Sequence, residues 1–240
     1  MDSLLASFPS DTNPGCAPYA TSDLGRSKPR PDSDTLSQLF RNEIVCEAGE
    51  RIFAQGTPFN ACYLVRSGAF KSLVLNERGD EKIISFHMPG DLIGLDSIHR
   101  GYYIGSAVAL ERSLVYEVVF QENGSQLRMP PDIQEHFVKI MSRELANIED
   151  LLMLTSEHTA EERIIAFLLA FSTRQTNRNL TAHQFRLPMS RNDIASFLGL
   201  AVETVSRMLT RLHEKNLLKV TGRNVEFIDI EGLRHRLKTA

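Results

Sequence analysis

Residues 190–214 read Ser190-Arg191-Asn192-Asp193-Ile194-Ala195-Ser196-Phe197-Leu198-Gly199-Leu200-Ala201-Val202-Glu203-Thr204-Val205-Ser206-Arg207-Met208-Leu209-Thr210-Arg211-Leu212-His213-Glu214. Ser190 followed three residues later by Asp193 is the pattern that caps a helix start. Ile194 and Leu198 then bury one face, and Ala195 is small enough for a second helix to cross closely. Gly199 supplies the positive φ of a sharp stop, and Leu200 plugs the corner. Val202, Val205, Leu209 and Leu212 form the apolar stripe of the next helix. Two helices of about eight and thirteen residues joined by a glycine turn read as a helix-turn-helix, whose second helix enters a DNA major groove.

With that stripe buried, Glu203, Ser206 and Arg207 share one outward face near the helix start, at i, i+3 and i+4. Arg207 can donate twice to guanine O6 and N7, Glu203 can accept from cytosine N4, and Ser206 can meet base or phosphate. The same Glu203–Arg207 spacing also makes an ordinary helix ion pair. Downstream, Leu217–Val220, Thr221–Asn224 and Val225–Ile228 read as a hairpin wing with Arg223 at its tip, and Asp229 as the cap of a last helix ending at Arg236. Arg186, Ser190, Arg191, Thr204 and Arg223 are the candidate phosphate contacts. Charge agrees: residues 160–240 carry 13 Lys+Arg against 8 Asp+Glu, a balance of +5. The rest carries 14 against 22, or −8. A basic end on an acidic body suits a nucleic-acid-facing surface.

Upstream, Pro130-Pro131 marks a change of period. Pro131 suits the first helical turn. After it Val138, Met141, Leu145, Ile148, Leu152 and Thr155 recur at alternating steps of three and four, a heptad seam suited to a partner helix. Phe137, Ile140, Leu151 and Leu154 widen the face so that the other side can pack on the preceding domain. A second helix is expected from Ala160 to Ser172, with Thr159 and Glu162 as a capping box. Arg174 to Gln184 is polar and reads as a loop, followed by a short strand at Phe185-Arg186-Leu187.

From Ile44 to about Val119 short apolar strands alternate with turns at Glu47–Glu50, Ser67-Gly68, Asn76–Asp80 and Pro89–Asp91. Amphipathic helices are missing from this stretch, which indicates an antiparallel barrel or sandwich. Residues 1–34 are rich in Pro, Ser, Asp and Thr and read as a flexible tail, with Leu36–Phe40 a short helical turn. The domain plan is a tail at 1–34, a β-roll at 35–130, a dimerisation helix at 131–158 and a winged helix-turn-helix at 159–240, an α+β class. No apolar run is long enough to span a membrane and no secretion signal opens the chain, so a cytoplasmic protein is expected. Cys16, Cys46 and Cys62 are the 3 cysteines, too scattered for a metal site. Cys46 and Cys62, in expected strands, read as buried thiols. Asp91, Asp96, His87 and His99 are the residues an enzyme would use, but nucleophile elbow, P-loop and metal triad are all lacking, so no catalytic or metal residues are assigned.

The chain resembles the CRP/FNR family of bacterial regulators over about residues 36–236. The likeness rests on Gly49-Glu50, Arg66-Ser67-Gly68, Gly79-Asp80-Glu81, Pro89-Gly90-Asp91-Leu92-Ile93-Gly94, Ala160-Glu161-Glu162-Arg163 and the helix-turn-helix. It implies a cyclic-nucleotide-binding-type β-roll, a long dimer helix and a winged helix-turn-helix reading a palindrome in double-stranded DNA. Glu203, Ser206 and Arg207 match the Glu-x-x-Ser-Arg of the FNR branch, which implies TTGAT half-sites in an inverted repeat. The cyclic-AMP branch has Arg and Gly where Val202 and Ser206 stand here. The resemblance also implies that Glu77–Asp80 contacts RNA polymerase in an activator, while the residues by themselves read as a solvated hairpin turn.

Two departures shape the expected cofactors. FNR proper holds a [4Fe–4S] cluster on three closely spaced N-terminal cysteines and one in the barrel. Here the tail has only Cys16 and the barrel position is Tyr116, so no cluster is expected. Where the cyclic-AMP branch has Gly-Glu-Leu and Arg-Ser-Ala, this chain has Gly94-Leu95-Asp96 and Gly105-Ser106-Ala107, and the phosphate-neutralising arginine is lost. No cofactor is therefore assigned. The apolar seam residue Ile148 predicts a dimer that needs no signal. A haem-, ligand- or redox-gated regulator, with His87 or His99 as haem ligands, and a cyclic-nucleotide-type module without DNA binding remain the alternatives.

Overall fold

The structure is a computed structural model that describes residues 40–118, 131–157, 159–176 and 183–238. The expected tail at 1–34 lies outside them. Among the described residues eight short strands build the N-terminal roll: β1 (Phe40–Cys46), β2 (Arg51–Phe53), β3 (Cys62–Ser67), β4 (Phe70–Leu75), β5 (Glu81–His87), β6 (Leu92–Ile93), β7 (Ser106–Ala109) and β8 (Ser113–Val118). They form two antiparallel sheets in the orders β1-β8-β3-β6 and β2-β7-β4-β5. The expected helical turn at Leu36–Phe40 needs correction at its end. Phe40 opens β1 and pairs with Val118, because strand pairing across 78 positions outweighs a weak local preference. Residues 36–39 lie outside the described residues.

Between the sheets Tyr63, Val65, Phe70, Ile93, Ala107 and Val115 are buried as one cluster. The alternation that puts them inside leaves Glu43 and Val45 outside on β1.

Helix α1 (Pro131–Glu157) starts on its proline, as the missing N–H allows. It is two-sided. Ile140 is buried with Cys62, Leu92 and Val118 of the roll, and Phe137 packs beside them. On the opposite side Val138, Met141, Leu145, Ile148 and Leu152 are 51 to 66 % exposed. A stripe of five large apolar side chains in water is costly at about 25 cal/mol per Å².

Helix α2 runs Ala160–Thr176, α3 Arg191–Leu198, α4 Val202–Glu214 and α5 Ile230–Lys238. Strands β9 (Gln184–Arg186), β10 (Leu218–Thr221) and β11 (Asn224–Phe227) make a small antiparallel sheet in the order β10-β11-β9. Thr159 and Glu162 do form the expected box: the Thr159 N–H donates to Glu162 Oε2 at 2.6 Å, and the Glu162 N–H to Thr159 Oγ1 at 3.4 Å. The loop expected from Arg174 is a second correction, since Arg174 to Thr176 continue α2. A polar helix end looks like a loop in sequence when its partner lies elsewhere in the chain.

That partner is in the roll. One core joins Leu73, Ile83, Phe86 and Met88 of the roll to Ile164, Leu168, Leu198, Val205, Leu209, Leu212 and Leu233 of the helical end. The rings of Phe86, Phe167 and Phe197 lie 5.1 to 6.1 Å apart, a spacing at which tilted pairs attract.

Candidate nucleic-acid interface

The cap of α3 is complete. Ser190 is extended, its Oγ accepts the Asp193 N–H at 3.1 Å, and Asp193 Oδ2 accepts the Ser190 N–H at 2.8 Å. The other carboxylate oxygen of Asp193 accepts from Lys71 Nζ on β4 at 2.7 Å. Burial pushes the Asp193 carboxyl up. The hydrogen bonds from Lys71 and from the Ser190 hydroxyl and N–H outweigh it and hold the group below the usual carboxylate range. Gly199 closes α3 at φ 66° and ψ 39°, and the Leu200 N–H returns to the Ala195 carbonyl at 2.9 Å. Only a residue without Cβ strain takes that left-handed conformation cheaply.

Helix α4 follows after two residues. Val205, Leu209 and Leu212 are buried and Val202 is half-buried. Glu203, Arg207, Thr210 and Arg211 are exposed, while Thr204 and Ser206 are half-buried. Among the described residues no side chain caps the first turn of α4, and Ala201 holds the cap position. Its N–H groups and the positive end of its dipole therefore stay available for an anion. At the other end Glu161 of α2 collects Arg236 at 3.0 Å, Lys215 at 3.3 Å and Arg211 at 3.5 Å. This hub ties α2, α4 and α5 together behind the exposed face.

The candidate phosphate residues divide. Ser190 and Arg191 sit at the start of α3, and the Arg191 guanidinium donates to Ser206 Oγ at 3.2 Å. Arg223 is exposed at the wing tip beside Gly222, which takes φ 64°, and donates to the Pro188 carbonyl at 2.8 Å. Arg186 on β9 points back at the roll, ion-paired with Glu111 at 2.9 Å.

Sequence reading missed the contacts that set this end against the roll. The Ser196 hydroxyl accepts the Ile83 N–H at 3.0 Å, and Lys82 Nζ donates to the Ser196 carbonyl. Helix α3 thus covers the edge strand β5 beside the irregularity in its pairing with β4. Arg174 ion-pairs with Asp91 and donates to the Phe86 carbonyl at 3.4 Å. Asp91 also accepts the Met88 N–H at 2.8 Å, so this carboxylate is structural. His87 is buried and bonded to Ser72 Oγ through Nε2 at 2.8 Å. Burial pushes its imidazole down to about 4, against the opposing pull of Asp91 and Asp96 and with help from Arg174. His99 is exposed on the far segment.

Two family models match, a Crp-like helix-turn-helix domain over residues 162–236 and a cyclic nucleotide-binding domain over residues 43–122. The transcriptional activator protein FnrA of Stutzerimonas stutzeri is 39% identical over 202 residues, covering 84% of this chain and 83% of that protein. The chain belongs to the CRP/FNR family of transcription regulators. A second CRP/FNR relative, the transcriptional activator protein Anr of Pseudomonas aeruginosa, is 39% identical over 198 residues, covering 82% of this chain and 81% of its own. The solved structure of FixK2 from Bradyrhizobium japonicum aligns with a TM-score of 0.69 and 32% identity over 83% of this chain and 98% of that one. These CRP/FNR relatives are regulators and not enzymes, in line with the unassigned catalytic residues. Among the described residues no helix is long and apolar enough to cross a membrane.

Cyclic AMP and an iron–sulfur cluster both meet poor fits in the roll. A Cβ built on Gly105, where the cyclic-AMP branch carries its arginine, would stand 2.6 Å from the Leu73 carbonyl oxygen. The β4 backbone leaves no room for any side chain there. The Tyr103 ring stacks on Phe53 at 3.8 Å and its hydroxyl donates to the Ala61 carbonyl at 2.8 Å. Phe59 and Tyr63 complete this aromatic filling beside Gly94. A four-ligand iron–sulfur cluster fares no better, since the chain has 3 cysteines in all. Cys46 and Cys62 are buried. Burial, helped by Glu50 and Asp96 respectively, pushes both thiols up, away from the thiolate a metal needs. Cys16 lies outside the described residues, and the barrel position is Tyr116, paired across β8 with Glu43 and Leu64.

Proposed function

We propose that this regulator acts in the cytoplasm as a homodimer that reads an inverted repeat of TTGAT half-sites through Glu203, Ser206 and Arg207. The observation that carries the reading is the two-sided α4, with Val205, Leu209 and Leu212 locked in the core and Glu203 and Arg207 standing in solvent at the groove-facing end. Ser190, Arg191, Thr204 and Arg223 meet phosphates and fix the register. Arg186 joins them by exchanging Glu111 for a phosphate. The exposed stripe Val138, Met141, Leu145, Ile148 and Leu152 pairs with the same stripe of a second copy. It also walls a cleft of about 1050 Å³ between the roll, α1, α2 and α3, and the second copy's helix covers that cleft. Two recognition helices then lie about one DNA turn apart.

The dimer forms and binds without an iron–sulfur cluster or cyclic AMP, and Ile148 in the seam removes the charge that a signal would otherwise have to compensate. Activation is supported by the relatives' names. RNA polymerase meets the turn at Glu77–Asp80, which is exposed yet rigid because Asn76 Oδ1 accepts both the Arg78 and the Asp80 N–H at 2.9 Å. Mobility-shift titration of the purified protein against inverted repeats of TTGAT with varied spacers, beside scrambled duplex, tests the reading. Preference for one spacer over scrambled duplex is expected. Equal affinity for every duplex overturns it.

A further inference from the structure

The reading helix carries three hydroxyls, on Thr204, Ser206 and Thr210, and the last two are spent differently. Thr210 Oγ1 donates back to the Ser206 carbonyl at 3.1 Å, the usual fate of a helical hydroxyl. Ser206 Oγ makes no such back-bond among the described residues. Its hydrogen bond is one it receives, from the Arg191 guanidinium on the neighbouring helix at 3.2 Å. A hydroxyl has one proton and two lone pairs. With Arg191 on one lone pair, the proton and the second lone pair remain, and a cationic donor on the oxygen makes that proton a better donor and the remaining lone pair a weaker acceptor.

We propose that Arg191 is a positioning residue that fixes Ser206 as a hydrogen-bond donor, so that Ser206 reads an acceptor on the major-groove edge. Thymine O4, guanine O6 and purine N7 satisfy it; the cytosine N4 amino group would have only the remaining lone pair, which the guanidinium weakens. Arg191 stands at the first position of α3, and the capping box beside it is braced by Lys71 from the roll. The base preference of α4 is therefore set partly from outside α4. The guanidinium has five N–H donors, so serving Ser206 leaves others for a phosphate, and the two roles separate by experiment.

This inference rests on the DNA-reading proposal above. The test uses the full-length protein and a panel of inverted repeats in which each base pair of the half-site is changed in turn. Affinities are measured for wild type, Ser206→Ala, Arg191→Gln and the double variant, with melting temperatures as a control on folding. Ser206→Ala identifies the base pair that Ser206 reads. Arg191→Gln is expected to lower discrimination at that same pair, by roughly two- to tenfold for one hydrogen bond, and to leave the pair read by Arg207 unchanged. The double variant is expected to discriminate no worse there than Ser206→Ala alone. A purely phosphate-bound Arg191 would instead weaken every duplex by one common factor and reduce the salt slope by about one. That outcome overturns the inference, as does a double variant whose losses multiply or a Ser206→Ala profile identical to wild type. In all three the wild-type preference for the inverted repeat stands. Loss of that preference in wild type itself overturns the DNA-reading proposal, and this inference with it.

Discussion

The interior of the roll and the outer face of α4 have been treated in opposite ways. In the roll, Phe53 stacks on Tyr63 and Tyr103, Phe59 tilts against Tyr103, and the β4 backbone runs against Gly105. On α4, polar side chains stand in solvent over a rigid back formed by buried leucines and valine and by the Glu161 hub. In this family architecture the roll here packs aromatic rings around Tyr103 and backbone against Gly105, while the reading helix leaves its polar side chains in solvent. The difference shows that the two halves answer to different constraints: packing density decides what the roll can hold, while exposure and preorganisation decide what α4 can read.

The largest effect should come from the seam proposed to pair two copies of the reader. Ile148→Asp would bury an unpaired charge on each side of a dimer, at about 3–5 kcal/mol. Sizing by light scattering should show a monomer, and affinity for the inverted repeat should fall at least to that of a single half-site. A dimeric Ile148→Asp protein would remove α1 from the account.

Acid should loosen the junction of the two halves next. The native state keeps His87 neutral near a value of about 4, against 6.5 for the free ring. The unfolded chain takes up that proton first, so stability falls as pH drops from about 6.5 to 4, by up to about 3 kcal/mol. Asp193, held below its usual range, contributes in the same direction at lower pH. Thermal melts of wild type and His87→Gln across this window check it: the variant's slope should be the flatter.

The closed roll is tested at Gly105. Gly105→Ala should destabilise by about 1–3 kcal/mol through overpacking against Leu73, and Gly105→Arg should not create cyclic-AMP binding by calorimetry. Tight nucleotide binding by Gly105→Arg would mean the roll reopens easily. On the open side, Arg207→Ala should cost about 1–3 kcal/mol of DNA affinity and relax choice at one base pair, read by titration against the same panel of duplexes.

The α3–α4 unit was the most legible part of the sequence because its signals are local. Ser190, Asp193 and Gly199 each act within four residues, and the structure places the cap and the left-handed turn where they predict. The exposed stripe of α1 was legible for the same reason: period alone separates Val138 and Leu145 from Ile140. Lys71 and Asp193 are 122 positions apart, and nothing near either residue announces the other. Arg174 looked like loop because its ion partner, Asp91, lies in the roll. The missing arginine at Gly105 could be read directly. That the space for it is gone could not, since it depends on how β4 passes.

Binding of the purified protein, without added ligand and under air, to an inverted repeat and to the same duplex with one half-site scrambled tests the central claim most directly. The account predicts a sharp drop in affinity on losing one half-site, because two copies of Glu203, Ser206 and Arg207 share the grip. Equal binding to both duplexes would contradict it.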